Sequence, residues 1–311
     1  MSDFLTRRTA LHYAAVAGAG AAGAGLTGGG KPRRVTTFVL VSGSNGMPST
    51  DPELVLRGHR VVGVSLPGHG PEQQFHRAYQ APQDLEELAA LPSPMRGVRL
   101  EDYVAAAVDA VRRAAEHGPV ILVGGSLGGA VITKAADEVP DLVDHLVYDT
   151  AFCCTELATP ADYINTPEGQ DSLTPGLFTG IVGDPAALGA VRINWRSADP
   201  EFLAAAKAAF MADASEGEFL AMLNMLFPDE TLHLANGDAR GDKRAWGRVP
   251  RSYIRHTRDR TIPLALQDRM IREADAATPG NKFEVFTVEA AHAPTAAAYA
   301  RIREILHRLA K

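Results

Sequence analysis

Short runs of apolar, β-favouring residues recur along this chain, separated by stretches long enough to form helices. Val35-Thr36-Thr37-Phe38-Val39-Leu40-Val41 predicts a buried strand ending in the Gly-rich loop Ser42-Gly43-Ser44-Asn45-Gly46. Arg60 to Val64 predicts a second strand, closed by Leu66-Pro67-Gly68-His69-Gly70. Further strands are predicted at Val120 to Val123, His145 to Thr150, Arg251 to His256 and Lys282 to Val288. Between them, Leu100 to about His117 places Tyr103, Val104, Val108 and Val111 on one helical face. A second helix runs from the glycines after Val123 to about Val139, before Pro140, and a closing helix from about Thr295 to Leu309. Strands alternating with helices predict an α/β fold whose mostly parallel sheet is covered on both faces. In such sheets ligands sit beyond the carboxyl ends of the strands, so the chemistry is expected in the loops that follow them. Residues 71–98, rich in Pro and Gln, read as a surface excursion. Residues 153–235 break the alternation with helical patches around 184–191, 200–212 and 216–227, and read as an inserted helical cap. The core is then 35–152 plus 236–311. No internal repeat or coiled-coil pattern is present in the sequence.

One strand-to-helix junction carries chemistry. Gly124-Gly125-Ser126-Leu127-Gly128 has the Gly-x-Ser-x-Gly form of a nucleophile elbow. Glycines let the chain turn sharply and let strand and helix approach closely. The serine is then pushed clear of the sheet, and the helix N-terminus aims free N–H groups at any negative charge that forms there. An ordinary Gly-rich turn with a bystander serine would read the same way, and a serine hydroxyl is a poor nucleophile without a base. Two later strand-end loops supply the missing partners. Asp259 lies in Tyr253-Ile254-Arg255-His256-Thr257-Arg258-Asp259-Arg260-Thr261-Ile262-Pro263, and His292 in Glu289-Ala290-Ala291-His292-Ala293-Pro294. The chain order Ser, Asp, His is that of α/β-hydrolases. His292 is the candidate general base and Asp259 the acid that orients it, with Asp149, at the end of the preceding strand, as competitor for the acid role. The backbone N–H groups of Leu127 and Ser44 are the candidate oxyanion donors.

With these pieces in place the chain resembles an α/β-hydrolase of the small-esterase branch that includes plant methyl esterases, hydroxynitrile lyases and bacterial pyrethroid-type carboxylesterases. The matching stretches are Phe38 to Gly43, Leu66 to Gly70, Leu100-Glu101-Asp102-Tyr103-Val104, the elbow, Phe210-Met211-Ala212-Asp213, and Tyr253 to Pro263 with the downstream histidine. The resemblance implies ester-bond chemistry without a cofactor on a small apolar ester. It also leaves open lactone or thioester hydrolysis, cyanohydrin cleavage and cyclisation, since fold does not fix reaction. The branch's lyases recruit a lysine near the pocket; Lys207 and Lys243 are the residues to place. A non-catalytic ligand binder on the same fold is the reading from a different class. Two departures stand out: Ser42-Gly43 replaces the usual His-Gly, and residues 71–98 are long.

Composition narrows the partners. The 311 residues carry a formal net charge of −6, while residues 1–34 hold Arg7, Arg8, Lys31, Arg33 and Arg34 against Asp3 alone. The remaining body is acidic, which argues against nucleic acid. Thr6-Arg7-Arg8-Thr9-Ala10-Leu11 followed by a weakly apolar Ala/Gly stretch resembles a Tat export signal, with Ala22-Gly23-Ala24 as a cleavage candidate. That stretch is too Gly-rich for stable membrane insertion. The expectation is a secreted or periplasmic enzyme; a tail on a cytoplasmic one is the other reading. Gly18-Ala19-Gly20-Ala21-Ala22-Gly23 fits a dinucleotide fingerprint by letter, but no strand precedes it. Cys153 and Cys154 are expected as two buried thiols, because adjacent Cα atoms lie closer than ordinary disulfides want. His69 reads as a turn residue, and no histidine pair has metal spacing. Trp195, Phe210, Met222, Met225 and Phe178 read as the packing side of the cap, with some lining an apolar pocket.

Overall fold

The computed structural model describes residues 35–311; the proposed export signal and the Gly18 to Gly23 stretch lie outside them. In chain order the elements are β1 (Thr37–Val41), α1 (Pro52–Leu56), β2 (Arg60–Gly63), α2 (Pro71–Gln74), α3 (Leu85–Ala90), α4 (Leu100–Ala115), β3 (Val120–Ser126), α5 (Gly128–Glu138), β4 (His145–Ala151), α6 (Pro160–Ile164), α7 (Pro185–Leu188), β5 (Ala190–Arg192), α8 (Pro200–Phe210), α9 (Glu216–Asn224), β6 (Asp229–Thr231), β7 (Arg251–His256), α10 (Leu264–Ala277), β8 (Glu284–Val288) and α11 (Ala296–Leu309). Six strands form one parallel sheet in the order β2-β1-β3-β4-β7-β8.

Successive side chains of a strand point to opposite faces, and this chain makes both faces apolar. Val39 and Val41 of β1, Leu122 of β3 and Tyr148 of β4 join α4, α5 and α10 in one core. Phe38 and Leu40, Ile121 and Val123, and Val147 join α1 and α11 in the other. Each such side chain is worth roughly 1.5–3 kcal/mol when fully buried, so the sheet is held from two sides. The register Val41↔Gly124, with Gly125↔Asp149, lines up the carboxyl ends of β1, β3 and β4 at one edge. Among the described residues no helix is long and apolar enough to cross a membrane.

The segment between β4 and β7 contains α6, α7, α8 and α9, and two of its features depart from the sequence reading. The 184–191 patch is only the short helix α7, stopped by Gly189 at φ +69°, after which the chain becomes β5. The 216–227 patch ends at Asn224, and β6 then pairs antiparallel with β5. Three-residue strands are too short to show a period. Residues 71–98 run largely over the surface, with most of their side chains exposed, but buried residues anchor the stretch. Tyr79, Leu88, Met95 and Gln74 are buried. The buried Arg192 ties this stretch to the hairpin: it pairs with Asp229 at 2.6 Å and donates to the carbonyls of Leu88 and Leu91. Gln74 exchanges side-chain bonds with the backbone of Asp229. Gln74, buried among exposed polar neighbours, shows that one polar residue of the stretch serves buried hydrogen bonding. Cys153 and Cys154 are both free and buried, and burial pushes the Cys153 thiol up to about 12. Phe178 and Met225, expected on packing faces, are instead 52% and 59% exposed.

Candidate active site

Ser126 ends β3 and Gly128 opens α5, so Ser126 and Leu127 form the turn between them. Ser126 has φ +52°, a left-handed conformation that costs a non-glycine residue of order 1–3 kcal/mol and recurs at functional sites. The packing around it explains the glycines. A Cβ on Gly124 would lie 2.7 Å from the Gly128 carbonyl oxygen, and one on Gly129 would lie 2.2 Å from that of Phe152. The Phe152 N–H donates to the Ser126 carbonyl at 3.0 Å and fixes the tip.

The three residues singled out in the strand-end loops converge. His292 Nε2 lies 3.1 Å from Ser126 Oγ, and His292 Nδ1 lies 2.7 Å from Asp259 Oδ2. Asp259 is buried and accepts four hydrogen bonds. Oδ1 takes the N–H groups of Thr261 and Ile262 at 2.6 and 2.8 Å; Oδ2 takes the Thr150 hydroxyl at 2.5 Å as well as His292. Burial by itself would raise this carboxyl, but the His292 charge and the hydrogen bonds from His292, Thr150 and Ile262 outweigh it and hold it below the ordinary carboxylate range. Thr150, left-handed at φ +38°, is a partner the sequence did not single out. Phe210 stacks on the His292 ring at 6.0 Å, and the Ala293 N–H donates to the Phe210 carbonyl, so α8 is fastened to the histidine loop. The chemistry open to this arrangement is proton transfer from Ser126 to an imidazole whose far nitrogen is bound to a permanent anion.

Gly43 places the first loop directly against Ser126: a Cβ there would fall 2.7 Å from Ser126 Cβ and 3.3 Å from Oγ. The amides of Ser44, the next residue, and of Leu127, the residue just before α5, thus lie on the two segments flanking the serine. Lys243 is exposed beside the far end of α5, where Asp242 N–H binds Asp137, so it is not at the serine. Lys207 is half-buried on α8.

Asp149 points away from His292 to a different histidine. Its Oδ1 lies 2.9 Å from His256 Nε2, while His256 Nδ1 lies 2.8 Å from the Ala291 carbonyl. Both partners are acceptors, so the ring donates to both only as an imidazolium. Burial lowers its pKa, but the Asp149 charge and hydrogen bond, with the Ala291 carbonyl, win and hold it above the ordinary 6.5. A folded pKa above the unfolded one stabilises fully below about pH 6.5 and is lost as pH rises through the folded value. Denaturant unfolding should therefore show stability falling as pH rises above about 6.5, with His256→Gln flattening that slope. Equal slopes in wild type and variant would refute the paired imidazolium.

The model of the alpha/beta hydrolase family matches residues 38–305. A pyrethroid hydrolase of Sphingobium wenxiniae is 28% identical over 276 residues, covering 84% of this chain and 82% of that protein. The crystal structure of a pyrethroid hydrolase superposes with a TM-score of 0.66 at 26% identity, covering 89% of this chain and 97% of that one. Polyneuridine aldehyde esterase shares the fold, with a TM-score of 0.61 at 20% identity, 89% of this chain and 100% of that one being covered. The six-stranded parallel sheet, the serine at its elbow and the span of the family match agree: this chain belongs to the alpha/beta hydrolase family.

Proposed function

We propose that the protein is a serine hydrolase that cleaves a neutral, largely apolar carboxylic ester through an acyl-Ser126 intermediate. The observation that carries the reading is the unbroken hydrogen-bonded line from Ser126 Oγ through both nitrogens of His292 to Asp259. His292 takes the Ser126 proton as Oγ attacks the carbonyl carbon, and returns it to the departing alkoxide. Water then repeats the sequence on the acyl-enzyme and frees the acid. The tetrahedral oxyanion is assigned to the N–H groups of Leu127 and Ser44. The residues over the site favour an apolar substrate: Phe210 on His292, and Met222, Leu226 and Ala293 in the neighbouring apolar cluster. The Sphingobium relative, named a pyrethroid hydrolase, supports hydrolysis of a small-molecule substrate. Residues 153–235 serve in this reading as the cap over the serine, and the twin-arginine N-terminus as the route out of the cytoplasm.

The test is covalent labelling. A p-nitrophenyl phosphonate should modify wild-type protein once, at Ser126, with loss of p-nitrophenyl acetate hydrolysis; Ser126→Ala should take up no label. Hydrolysis retained by Ser126→Ala would defeat the proposal.

A further inference from the structure

Glu230 of β6 is a carboxylate buried where no sequence motif calls for one. Every group around it is a donor. Oε2 accepts the Asn45 N–H at 2.8 Å; Oε1 accepts the Tyr103 hydroxyl at 2.7 Å and the Thr231 N–H at 2.8 Å. His69 Nε2 lies 3.5 Å from Oε2 and 3.3 Å from the Tyr103 oxygen. A carboxylate accepts at both oxygens, whereas a neutral acid or amide would turn hydrogens towards some of these donors. The donor set therefore selects the ionised form, in keeping with a pKa held down: burial alone would raise it, but His69, Asn45 and Tyr103 outweigh burial.

Asn45 belongs to the loop that lies against Ser126. It is left-handed at φ +59°, a conformation Asn tolerates better than most residues but one that needs holding. The loop is stitched to the chain entering β6. The Asn45 carbonyl accepts the Phe227 N–H at 2.7 Å, Asn45 Nδ2 donates to the Phe227 carbonyl at 2.8 Å, and Gly46 bridges to Leu226. Glu230 supplies the charged bond in that seam. The Ser44–Asn45 peptide is planar, so gripping the Asn45 N–H sets the orientation of the plane that follows Ser44. The Ser44 N–H, the second proposed oxyanion donor, lies in the preceding Gly43–Ser44 plane, whose carbonyl accepts the Gly46 N–H at 3.1 Å, so holding Asn45 and Gly46 on this seam holds that plane as well.

We propose that Glu230 is a positioning residue for the oxyanion loop, its buried carboxylate locking the 42–46 turn against Ser126 from the inserted segment. This rests on the reading of Ser126 as nucleophile. The consequence is mechanistic. Glu230 touches neither substrate nor reacting atoms, yet it bears on transition-state stabilisation, because oxyanion donors act only when already in place. It also makes the oxyanion hole depend on how the inserted segment sits on the sheet, since β6 belongs to that segment.

Phosphonate labelling reads this without knowledge of the natural substrate. Oγ forms a bond to phosphorus, the bond to p-nitrophenolate breaks, the serine proton passes through His292 to solvent, and the phosphoryl oxygen occupies the oxyanion hole. The amplitude of p-nitrophenolate release counts folded enzyme; the rate constant reports the hole. Glu230→Gln should label with wild-type amplitude but about 10- to 100-fold more slowly, with saturation by the phosphonate shifted less than about twofold. Tyr103→Phe, which removes a donor to Glu230 without touching the loop, should label within about threefold of wild type. Glu230→Asp, which keeps the charge but shortens the reach, should also be slow. Wild-type rate constants in Glu230→Gln or Glu230→Asp overturn the inference. So does loss of amplitude alone in both, which would make the role purely structural. If wild-type protein itself takes no label at Ser126, the ester-hydrolase reading fails instead.

Discussion

Asp259→Asn is expected to lower kcat by about four orders of magnitude, the scale of the corresponding change in a Ser-His-Asp triad. The hydrogen-bond pattern gives the reason. Oδ1 faces the two backbone donors of Thr261 and Ile262, which only an oxygen can satisfy. An asparagine must therefore turn its NH2 towards His292 Nδ1. That amide donates where the carboxylate accepted, so Nδ1 loses its proton and Nε2 keeps one. Nε2 then presents a hydrogen to Ser126 and cannot take the serine's proton. Asp149→Asn is the matched control. Its oxygen can still accept from His256 Nε2, and the His256 ring reaches His292 only through the Ala291 carbonyl. A loss of less than about tenfold is expected there, read as kcat on one p-nitrophenyl ester for both variants. The reverse outcome, with Asp149→Asn inactive and Asp259→Asn near wild type, would transfer the acid role to Asp149.

The contrast between these two aspartates shows which parts of the site were legible in the chain. Ser126, Asp259 and His292 stand just beyond strands whose apolar runs are long enough to recognise, and a parallel sheet gathers such loops at one edge. Their convergence follows from topology. The partners that hold them do not announce themselves in this way. Thr150 and Asp149 are neighbours at the end of β4, yet one bonds Asp259 and the other His256, because successive side chains of a strand point to opposite faces. Glu230 sits in a three-residue strand whose pairing with β5 no periodicity predicts. Its partners Asn45, His69 and Tyr103 come from three separate loops or helices, so the cluster exists only in space. Ser42 stands where the family pattern has histidine, and the sequence raised the question of what supports the first loop; the seam with residues 226–230 is the structural answer. The anchors of the largely exposed stretch 71–98 were hidden for a related reason. Its buried carbonyls at Leu88 and Leu91 are satisfied by Arg192, a partner about a hundred positions away.

Two glycine substitutions should separate catalysis from folding. Gly43→Ala puts a methyl group 2.7 Å from Ser126 Cβ and 3.2 Å from the Gly125 carbonyl oxygen. Contact at that distance is repulsive, so either the loop retreats or the elbow tip turns. In the first case Ser44 N–H moves off the oxyanion, and in the second Oγ leaves His292. Either displacement is expected to cost about 100- to 1,000-fold in kcat/KM, the range for loss of an oxyanion donor. Stability should change little by comparison, because residues 42–44 are only half-buried. Gly129→Ala meets backbone instead, with the Phe152 carbonyl oxygen at 2.2 Å and the Phe152 nitrogen at 2.9 Å. No side chain there can rotate aside, so α5 must shift off β4, at a cost of about 1–3 kcal/mol or more in unfolding free energy. Activity per folded molecule and denaturant midpoint, measured on both variants, should therefore move in opposite proportion. A fully active Gly43→Ala would mean that the first loop does not need its close approach to Ser126, and the oxyanion assignment on that loop would fall with it.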